Sequence, residues 1–181
     1  MKVTSLELNG LLLIQPRVFG DERGFFLEAY HAPRYRAAGI EVEFVQDNHS
    51  RSVRGVLRGL HYQSRPGQAK LVRVTRGRVF DVAVDIRLGS PTLGAWVGVE
   101  LDAETQQQLF IPVGFAHGFC VLSEMAEVQY KVSSVYEAST EHSIRYDDPD
   151  LGVQWPLRDP MVSERDRNAE SFAAYRQRLS G

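Results

Sequence analysis

The stretch Val79-Phe80-Asp81-Val82-Ala83-Val84-Asp85-Ile86 alternates between two kinds of side chain. Its even positions are all apolar, whereas its odd positions include two aspartates. An alternation with period two is typical of a β-strand that has one buried face. Short runs rich in Val, Ile and Phe recur along the chain between turn residues, and this pattern predicts an antiparallel β-sandwich or barrel.

A second run, residues 70–75, leads into this strand through Arg76-Gly77, which is a tight-turn signal and predicts a hairpin. In the register of a two-residue turn, Lys70 lies opposite Ala83 and shares a face with Asp81 and Asp85. Periodicity alone favours a solvated charged face. The alternative is that this face lines a polar cavity, and that a second sheet or subunit covers the apolar face.

The composition is that of a soluble globular protein with one substantial core, because 43% of its 181 residues are hydrophobic and 24% are charged. The net charge of −2 argues against a nucleic-acid partner, for which a strongly basic surface is expected. The apolar run at residues 11–14 is too short for a signal sequence or a membrane span, so we expect a cytoplasmic protein without a membrane partner. Cys120 is the single cysteine, which excludes an internal disulfide.

Signals for helices are scarce. Residues 33–38 carry a proline near their start and precede Gly39, which predicts one short helix. Residues 166–179 are the best candidate for a longer helix. The sequence therefore predicts an all-β fold, an antiparallel barrel with short helical additions and a C-terminal helical segment.

The segment Gly55-Val56-Leu57-Arg58-Gly59-Leu60-His61-Tyr62-Gln63, with Lys70 soon after it, brings three basic side chains into a strand pattern. Histidine suits proton transfer near neutral pH, and arginine and lysine suit an anion or a developing oxyanion. A single histidine in a strand is more often structural, but the two neighbouring cations favour a function. Because Arg58 and His61 are an odd number of residues apart, a regular strand would point them to opposite faces, and Gly59 would permit a bulge that re-aims one of them.

Further motifs are spread along most of the chain. In order, they are Phe19-Gly-Asp21-Glu-Arg23-Gly24-Phe25-Phe26-Leu-Glu28, Gln46-Asp-Asn48-His-Ser50, Gln68-Ala-Lys70, Asp81-Val-Ala-Val-Asp85, Ser90-Pro91-Thr92, Gly114-Phe-Ala-His117-Gly-Phe119, Tyr130-Lys131 and Asp147-Asp148-Pro149 to Trp155-Pro156. With these motifs the chain resembles the dTDP-4-dehydrorhamnose 3,5-epimerases, which are metal-free members of the cupin superfamily. Each motif alone is weakly specific, whereas their ordered sum is highly specific.

The resemblance implies one cupin-like jelly-roll domain over residues 1–181 that works without a metal or another cofactor. Its implied substrate is a 4-keto-6-deoxyhexose attached to dTDP, and the family inverts carbons C3 and C5 of this sugar in dTDP-rhamnose biosynthesis. Both carbons are α to the C4 ketone. Removal of a proton therefore gives an enolate, and return of a proton to the opposite face inverts the centre.

The resemblance also implies the catalytic residues. His61 matches the general base, Asp166 the carboxylate that orients it, and Lys70 the group that holds the enolate oxygen. Tyr130 matches the acid that delivers a proton from the other face. Two of these residues also have structural interpretations: Asp166 three residues after Ser163 is a helix-capping pattern, and Tyr130 could be a core residue with a satisfied hydroxyl.

Nine further positions match the substrate-binding residues of the family. Two arginines would hold the diphosphate, a glutamate would hold a hydroxyl or a base edge, three polar residues would line the pocket, two phenylalanines would form an apolar wall and a tyrosine would stack on the thymine. In the same order these residues are Arg23 and Arg58, Glu28, Gln46, Asn48 and His117, Phe19 and Phe26, and Tyr136. The resemblance also implies a homodimer in which the N-terminal segment crosses over, so that Arg23 and Phe26 serve the site of the other protomer.

Two departures from the family pattern bear on substrate choice. The loop between His61 and Lys70 is one residue shorter than in many members. Val135 stands before Tyr136, where many members have a second aromatic residue. Arg23 also has a plain structural interpretation, because it could form an ion pair with Asp21 in a turn.

Three alternative functions are open. The nearest is a single-carbon epimerase of another nucleotide-linked 4-ketodeoxysugar with the same residues. A metal-dependent cupin is disfavoured because His61 and Gln63, without a nearby glutamate, form a poor ligand set. A non-catalytic sugar-nucleotide-binding protein would not need His61, Lys70 and Tyr130 together.

Overall fold

The computed structural model describes residues 1–180. The strands in this range are β1 (Lys2–Ser5), β2 (Leu12–Gln15), β3 (Val18–Asp21), β4 (Gly24–Leu27), β5 (Gln46–Val53), β6 (Leu57–Gln63), β7 (Lys70–Arg76), β8 (Arg78–Asp85), β9 (Trp96–Asp102), β10 (Gln108–Ile111), β11 (Phe115–Val121), β12 (Met125–Val132) and β13 (Glu141–Ser143). The α-helices are α1 (Ala32–Ala37), α2 (Glu164–Arg167) and α3 (Phe172–Ser180), and a 3-10 turn covers Ala138–Thr140.

Strands β5 to β12 form a jelly roll. The chain runs out along β5 to β8 and returns along β9 to β12, and each returning strand pairs antiparallel with its outgoing counterpart: β5 with β12, β6 with β11, β7 with β10 and β8 with β9. These pairs assemble into a six-stranded sheet, β1-β2-β10-β7-β12-β5, and a five-stranded sheet, β13-β6-β11-β8-β9. The predicted antiparallel jelly-roll barrel with helical additions is confirmed.

The predicted hairpin between β7 and β8 is wrong. The two strands follow each other through Gly77 but lie in different sheets, so Lys70 pairs with Ile111 and Val132 rather than with Ala83. The physical reason is burial. Both faces of β7 carry buried apolar residues, and a central position between β10 and β12 covers both.

The interior between the sheets is apolar over most of its length. Val72 and Val74 of β7 belong to one buried cluster there with Val79 and Ala83 of β8. Polar residues take the inward positions at one end of the barrel. Because Lys70 is buried among them, the polar-cavity alternative for its face of β7 is confirmed.

The two aspartates of β8 have different environments. Asp81 is buried and close enough to Lys70 to favour its charged form. Asp85 closes the turn that follows β8. Its carboxylate accepts hydrogen bonds at 2.6–2.7 Å from the side chains of Arg87, Ser90 and Thr92. Of the two aspartates predicted to share a face with Lys70, only Asp81 therefore stabilises its charge.

The apolar outer face of β8 is covered by the C-terminal part of the same chain. Val82, Val84 and Ile86 form one buried cluster with Leu151 and Phe172. The expectation that a second sheet or subunit covers this face is therefore wrong. The sequence pattern could not show this, because the covering residues are irregular and lie far downstream.

The helices agree in part with the prediction. Helix α1 confirms the short helix expected at residues 33–38. The predicted helix at residues 166–179 is instead the two helices α2 and α3. Asp166 and Phe172 are both buried, and on one continuous helix they would point about 120° apart, so the break allows each to reach its own partners. None of the helices in the described part of the chain has the length and apolar character to cross a lipid bilayer.

Strand β6 contains the predicted bulge. Between Arg58 and His61 it has one residue more than the facing part of β11. Gly59 lies in this step with a φ of +136°, and a Cβ there would come within 2.5 Å of the Cα of Gly118. The two strands thus approach each other too closely for a side chain at this point.

Gly59→Ala should destabilise the fold far more than Gly55→Ala. Gly55 also has a positive φ, +84°, but open space surrounds it, so only the backbone conformation costs about 1–2 kcal/mol. At Gly59 the clash with the backbone of β11 adds to this, and we expect a total of about 3 kcal/mol or more. Chemical denaturation of both variants measures the difference, and equal losses of unfolding free energy would contradict the packing argument.

Candidate active site

A cavity of about 130 Å³ lies between the two sheets at the polar end of the barrel. It is lined by Gln46, Asn48, His61, Tyr62, Gln63, Gln68, Lys70, Tyr130, Tyr136 and Glu141. Pockets that enclose a whole drug-sized ligand have volumes of about 300–1,000 Å³. This cavity therefore encloses one part of a larger ligand, and the remainder must lie along its open rim.

His61 and Asp166 form a short contact at this cavity. His61 Nε2 lies 2.5 Å from Asp166 Oδ1, and the aspartate side chain is almost fully buried. Helix α2 holds it there, because Ser163 Oγ caps the helix by accepting from Asp166 N at 3.0 Å. The helix-cap interpretation of Asp166 is therefore confirmed for its backbone, while its side chain binds the histidine.

The charge on Asp166 decides which nitrogen of His61 carries the proton. Burial alone would raise the pKa of Asp166, but hydrogen bonds from His61 and Ser163 hold it below its usual value. An ionised carboxylate can only accept, so Nε2 of the neutral histidine is the donor. Nδ1 is left with the lone pair that can take up a proton.

Lys70 extends from β7 into the same cavity. Its Nζ donates to the backbone oxygen of His61 at 3.3 Å. Burial lowers the pKa of Lys70 to about 8, while the carboxylates of Asp81 and Glu141 oppose this shift. At neutral pH the group is thus a cation shielded from water, which suits a developing negative charge on an oxygen.

Tyr130 reaches the cavity from β12, in the six-stranded sheet, whereas His61 belongs to the five-stranded sheet. Burial raises the pKa of Tyr130, the charge of Glu141 raises it further and Arg58 opposes the shift. The phenol therefore keeps its proton at neutral pH and can act as an acid. A ring lying in the cavity would have the histidine and the tyrosine on opposite sides.

His117 lies outside the cavity lining, although it is a predicted pocket residue. Its Nε2 lies 3.0 Å from each carboxylate oxygen of Asp81, and both side chains are buried. Burial lowers the pKa of His117, as do the charges of Lys70 and His61, while Asp81 opposes the shift. The neutral imidazole therefore donates to Asp81 and fixes the carboxylate that acts on Lys70.

Three predicted binding residues, Gln46, Asn48 and Tyr136, line the cavity, whereas Arg58 lies outside its lining. Gln46 connects the other two, because its Nε2 donates to Asn48 Oδ1 at 2.8 Å and its Oε1 accepts from Tyr136 N at 2.9 Å. The ring of Tyr136 is largely exposed, as a stacking platform must be. Arg58 Nε donates to Ser52 Oγ at 3.0 Å.

Comparison with known proteins gives the family. The family model described as dTDP-4-dehydrorhamnose 3,5-epimerase matches residues 5–174. This chain belongs to that epimerase family. A dTDP-4-dehydrorhamnose 3,5-epimerase of Pseudomonas aeruginosa is 57% identical over 175 residues, which cover 96% of this chain and 97% of that protein.

Two further relatives of this epimerase are informative. The crystal structure of a Legionella pneumophila dTDP-6-deoxy-D-glucose-3,5-epimerase in complex with dTDP-4-keto-L-rhamnose has a TM-score of 0.93 and 52% identity, covering 95% of this chain and 93% of that one. A dTDP-4-dehydrorhamnose 3-epimerase of Streptomyces niveus is 42% identical over 178 residues, 97% of this chain and 86% of that protein. The protein is thus an isomerase, and its family includes single-carbon enzymes.

Besides His117 and Arg58, four predicted binding residues of this epimerase lie outside the cavity lining. They are Phe19, Arg23, Phe26 and Glu28. Strands β3 and β4 form a separate two-stranded sheet, on which the ring of Phe26 is 69% exposed. Arg23 forms an ion pair with Asp21, in agreement with its structural interpretation, and Glu28 pairs with Arg34 at 2.7 Å.

Four cavity residues of the epimerase fall outside the predicted site. They are Tyr62, Gln63, Gln68 and Glu141. The first three lie within two residues of His61 or Lys70 in sequence, and this proximity is a signal that could have identified them. Glu141 has no local signal, because the short strand β13 places it opposite Gln63 only in the folded chain. Its carboxylate accepts from the hydroxyl of Tyr136 at 2.8 Å and from Arg165 at 2.5 Å.

Lys70→Met should make this epimerase more stable at pH 7, and the gain should shrink as the pH rises. The folded-state pKa of Lys70 is about 8 instead of 10.5. Between these values the unfolded chain binds a proton that the native protein has lost, so wild-type stability rises with pH in this window. The difference in unfolding free energy between variant and wild type should narrow by about 3 kcal/mol between pH 7 and pH above 10. Denaturant unfolding across this range measures it, and a constant difference would contradict the shifted pKa.

Proposed function

We propose that this epimerase converts dTDP-4-dehydro-6-deoxy-D-glucose to dTDP-4-dehydro-L-rhamnose in dTDP-rhamnose biosynthesis, by inverting C3 and C5. One observation carries the proposal beyond family membership. A base and an acid, His61 and Tyr130, reach one cavity from opposite sheets, and the buried ammonium of Lys70 lies in the same cavity. Inversion of a carbon next to a ketone needs these three groups. One removes a proton, one returns a proton to the other face, and one stabilises the negative charge of the enolate that forms between these two steps.

The reaction begins with proton transfer to His61. Nδ1 accepts the proton from the carbon next to the C4 ketone, and the charge of Asp166 stabilises the resulting imidazolium. The electron pair of the broken C–H bond moves onto the C4 oxygen, where Lys70 stabilises the enolate. In other enzymes the loss of one such donor costs about 10²–10³ in rate.

The reaction ends with proton delivery by Tyr130. The enolate carbon takes the phenolic proton from the face opposite His61, and the C4 ketone forms again. Exchange of the histidine proton and of the tyrosinate with solvent restores both groups, so the net reaction neither gains nor loses a proton. The same sequence at the second carbon completes the 3,5-epimerisation.

The nucleotide part of the substrate extends over the rim of the cavity. Arg58 is suited to the diphosphate, because a guanidinium binds phosphate oxygens in a bidentate manner. The exposed ring of Tyr136 is suited to stacking on the thymine. Gln46 and Asn48 lie between these positions on β5, where they offer polar groups to the sugar.

We also propose that the active form is a homodimer with an exchanged N-terminal hairpin. Strands β3 and β4 expose large apolar side chains, 61% of Phe25 and 69% of Phe26. Strand β5, which carries two cavity residues, is an edge strand of its sheet. A hairpin from a second copy beside this edge would bring Arg23 and Phe26 to the cavity, from which they are absent within one chain.

A single-carbon epimerase is the second candidate function. The observation that favours it is the Streptomyces niveus 3-epimerase, which aligns over 97% of this chain. The catalytic groups serve either outcome, since one base and one acid suffice at each carbon. The two candidates differ only in how many positions of the sugar reach these groups.

Incubation with dTDP-4-dehydro-6-deoxy-D-glucose in D₂O should place deuterium at both C3 and C5, as read by NMR and mass spectrometry. His61→Ala should slow this exchange by about 10²–10⁴-fold because it removes the base, while dTDP binding by calorimetry is retained. His49→Ala is the matched control, since this histidine lies on the outside of β5 against Glu127, and its exchange should equal that of the wild type. Deuterium at one carbon only would select the second candidate, and undiminished exchange in His61→Ala would remove His61 from the role of base.

Mixing two inactive variants tests the exchanged hairpin. Arg23→Ala lacks the proposed diphosphate contact and His61→Ala lacks the base, so each homodimer should be impaired. In a mixed dimer an intact Arg23 from one protomer meets an intact His61 from the other, and about a quarter of all sites should be restored after co-expression. If both residues act within one chain, no restored site forms and the activity of the mixture stays at the average of the two variants.

A further inference from the structure

Gln63 carries a buried acceptor that its own chain leaves unused. The side chain lines the cavity from β6, two residues after His61 and on the same face of the strand, and is 7% exposed. Its Oε1 has no hydrogen-bond partner among residues 1–180. Three other side chains in this range have a buried unpaired polar atom, but none of them lines the cavity.

The amide can point only one way. Its Nε2 faces the backbone oxygen of Glu137 at 3.5 Å, and a carbonyl oxygen can only accept. Turning the amide over would bring two oxygens together. Oε1 is therefore a fixed acceptor beside the catalytic base, and a buried unpaired acceptor costs free energy unless a ligand supplies a donor.

We infer that Gln63 is a specificity-determining residue that accepts a hydrogen bond from the C2 hydroxyl of the hexose. The inference rests on the proposed function and names a contact within it. The ketone at C4 and the diphosphate oxygens cannot donate. The thymine ring N–H and the 3′-hydroxyl of the deoxyribose can donate, but the diphosphate separates both from the carbon that meets His61, whereas successive residues on one strand face are only about 7 Å apart.

The choice between the two ring hydroxyls follows from the reaction. The hydroxyl at C3 changes sides when its carbon inverts, and a buried amide whose Nε2 faces the backbone oxygen of Glu137 cannot follow it. The hydroxyl at C2 keeps its configuration throughout. A fixed acceptor can therefore hold it in the substrate, in both enolates and in the product, and C2 is bonded directly to one of the two reacting carbons.

Deuterium exchange at C5 measures this contact, because C5 adjoins the C4 ketone in the parent substrate and in its 2-deoxy and 3-deoxy analogues alike. Gln63→Met keeps the volume of the side chain and removes the acceptor. We expect kcat/KM for exchange to fall about 10- to 100-fold with the parent and with the 3-deoxy analogue, and to change less than about 3-fold with the 2-deoxy analogue, which lacks the donor. The melting temperature should stay the same or rise, because an unpaired buried polar atom is removed.

Gln68→Met is the matched control. Gln68 lines the same cavity, but its Nε2 already donates to the backbone oxygen of Ser134 at 2.9 Å. Any loss in this variant should be equal for all three substrates. The inference is overturned if Gln63→Met lowers exchange equally for the parent and the 2-deoxy analogue, or if the loss disappears with the 3-deoxy analogue instead. Failure of the proposed function is a separate result, since the wild type would then not exchange with the parent substrate.

Discussion

The close approach of β6 and β11 is the constraint on which the site depends. A Cβ on Gly118 would lie 2.8 Å from the backbone oxygen of Arg58, and a Cβ on Gly59 would lie 2.5 Å from the Cα of Gly118. Because no side chains separate the strands there, β6 takes up one additional residue and changes direction before His61. The backbone N–H of Gly59 also donates to Asp166 at 3.5 Å. The segment that re-aims His61 therefore also binds Asp166, the carboxylate that contacts this histidine.

Desolvation has opposite effects on Lys70 and Tyr130, the two other groups that we propose act in catalysis. It lowers the pKa of Lys70 towards 8 and raises that of Tyr130, so that the ammonium becomes more acidic and the phenol less so. Both groups stay protonated at neutral pH. A developing enolate oxygen is stabilised by the cation at short range, where little water screens the charge. The phenol gives its proton only to a strong base, and an enolate carbon is one. Asp81, held by His117, keeps the lysine charged enough for this role.

The sequence predicts the parts of this structure that depend on local pattern. Alternation reveals β8, and the spacing of Arg58 and His61 reveals the bulge at Gly59. The pairing of β7 and β8 is wrongly predicted, because a turn signal describes two residues whereas the sheet is assembled from strands far apart in the chain. For the same reason, only family resemblance connects His61 with Asp166, 105 residues away. Neither local pattern nor the resemblance identifies Glu141 as a cavity residue, because its contacts with Tyr136 and Arg165 form only in the folded chain.

One base and one acid can serve two carbons because C3 and C5 both adjoin the C4 ketone. If the C4 oxygen stays at Lys70, the two carbons lie on either side of that fixed point, and a pivot of the ring in its own plane brings one or the other to the base with the same ring face towards it. Inversion of both carbons then requires freedom to pivot, whereas inversion of one requires only that the pivot be blocked. The proposed base and acid serve either outcome. The choice must be made by groups that hold the rest of the ring, and these are the cavity residues around the base, among which Gln63 has its free acceptor.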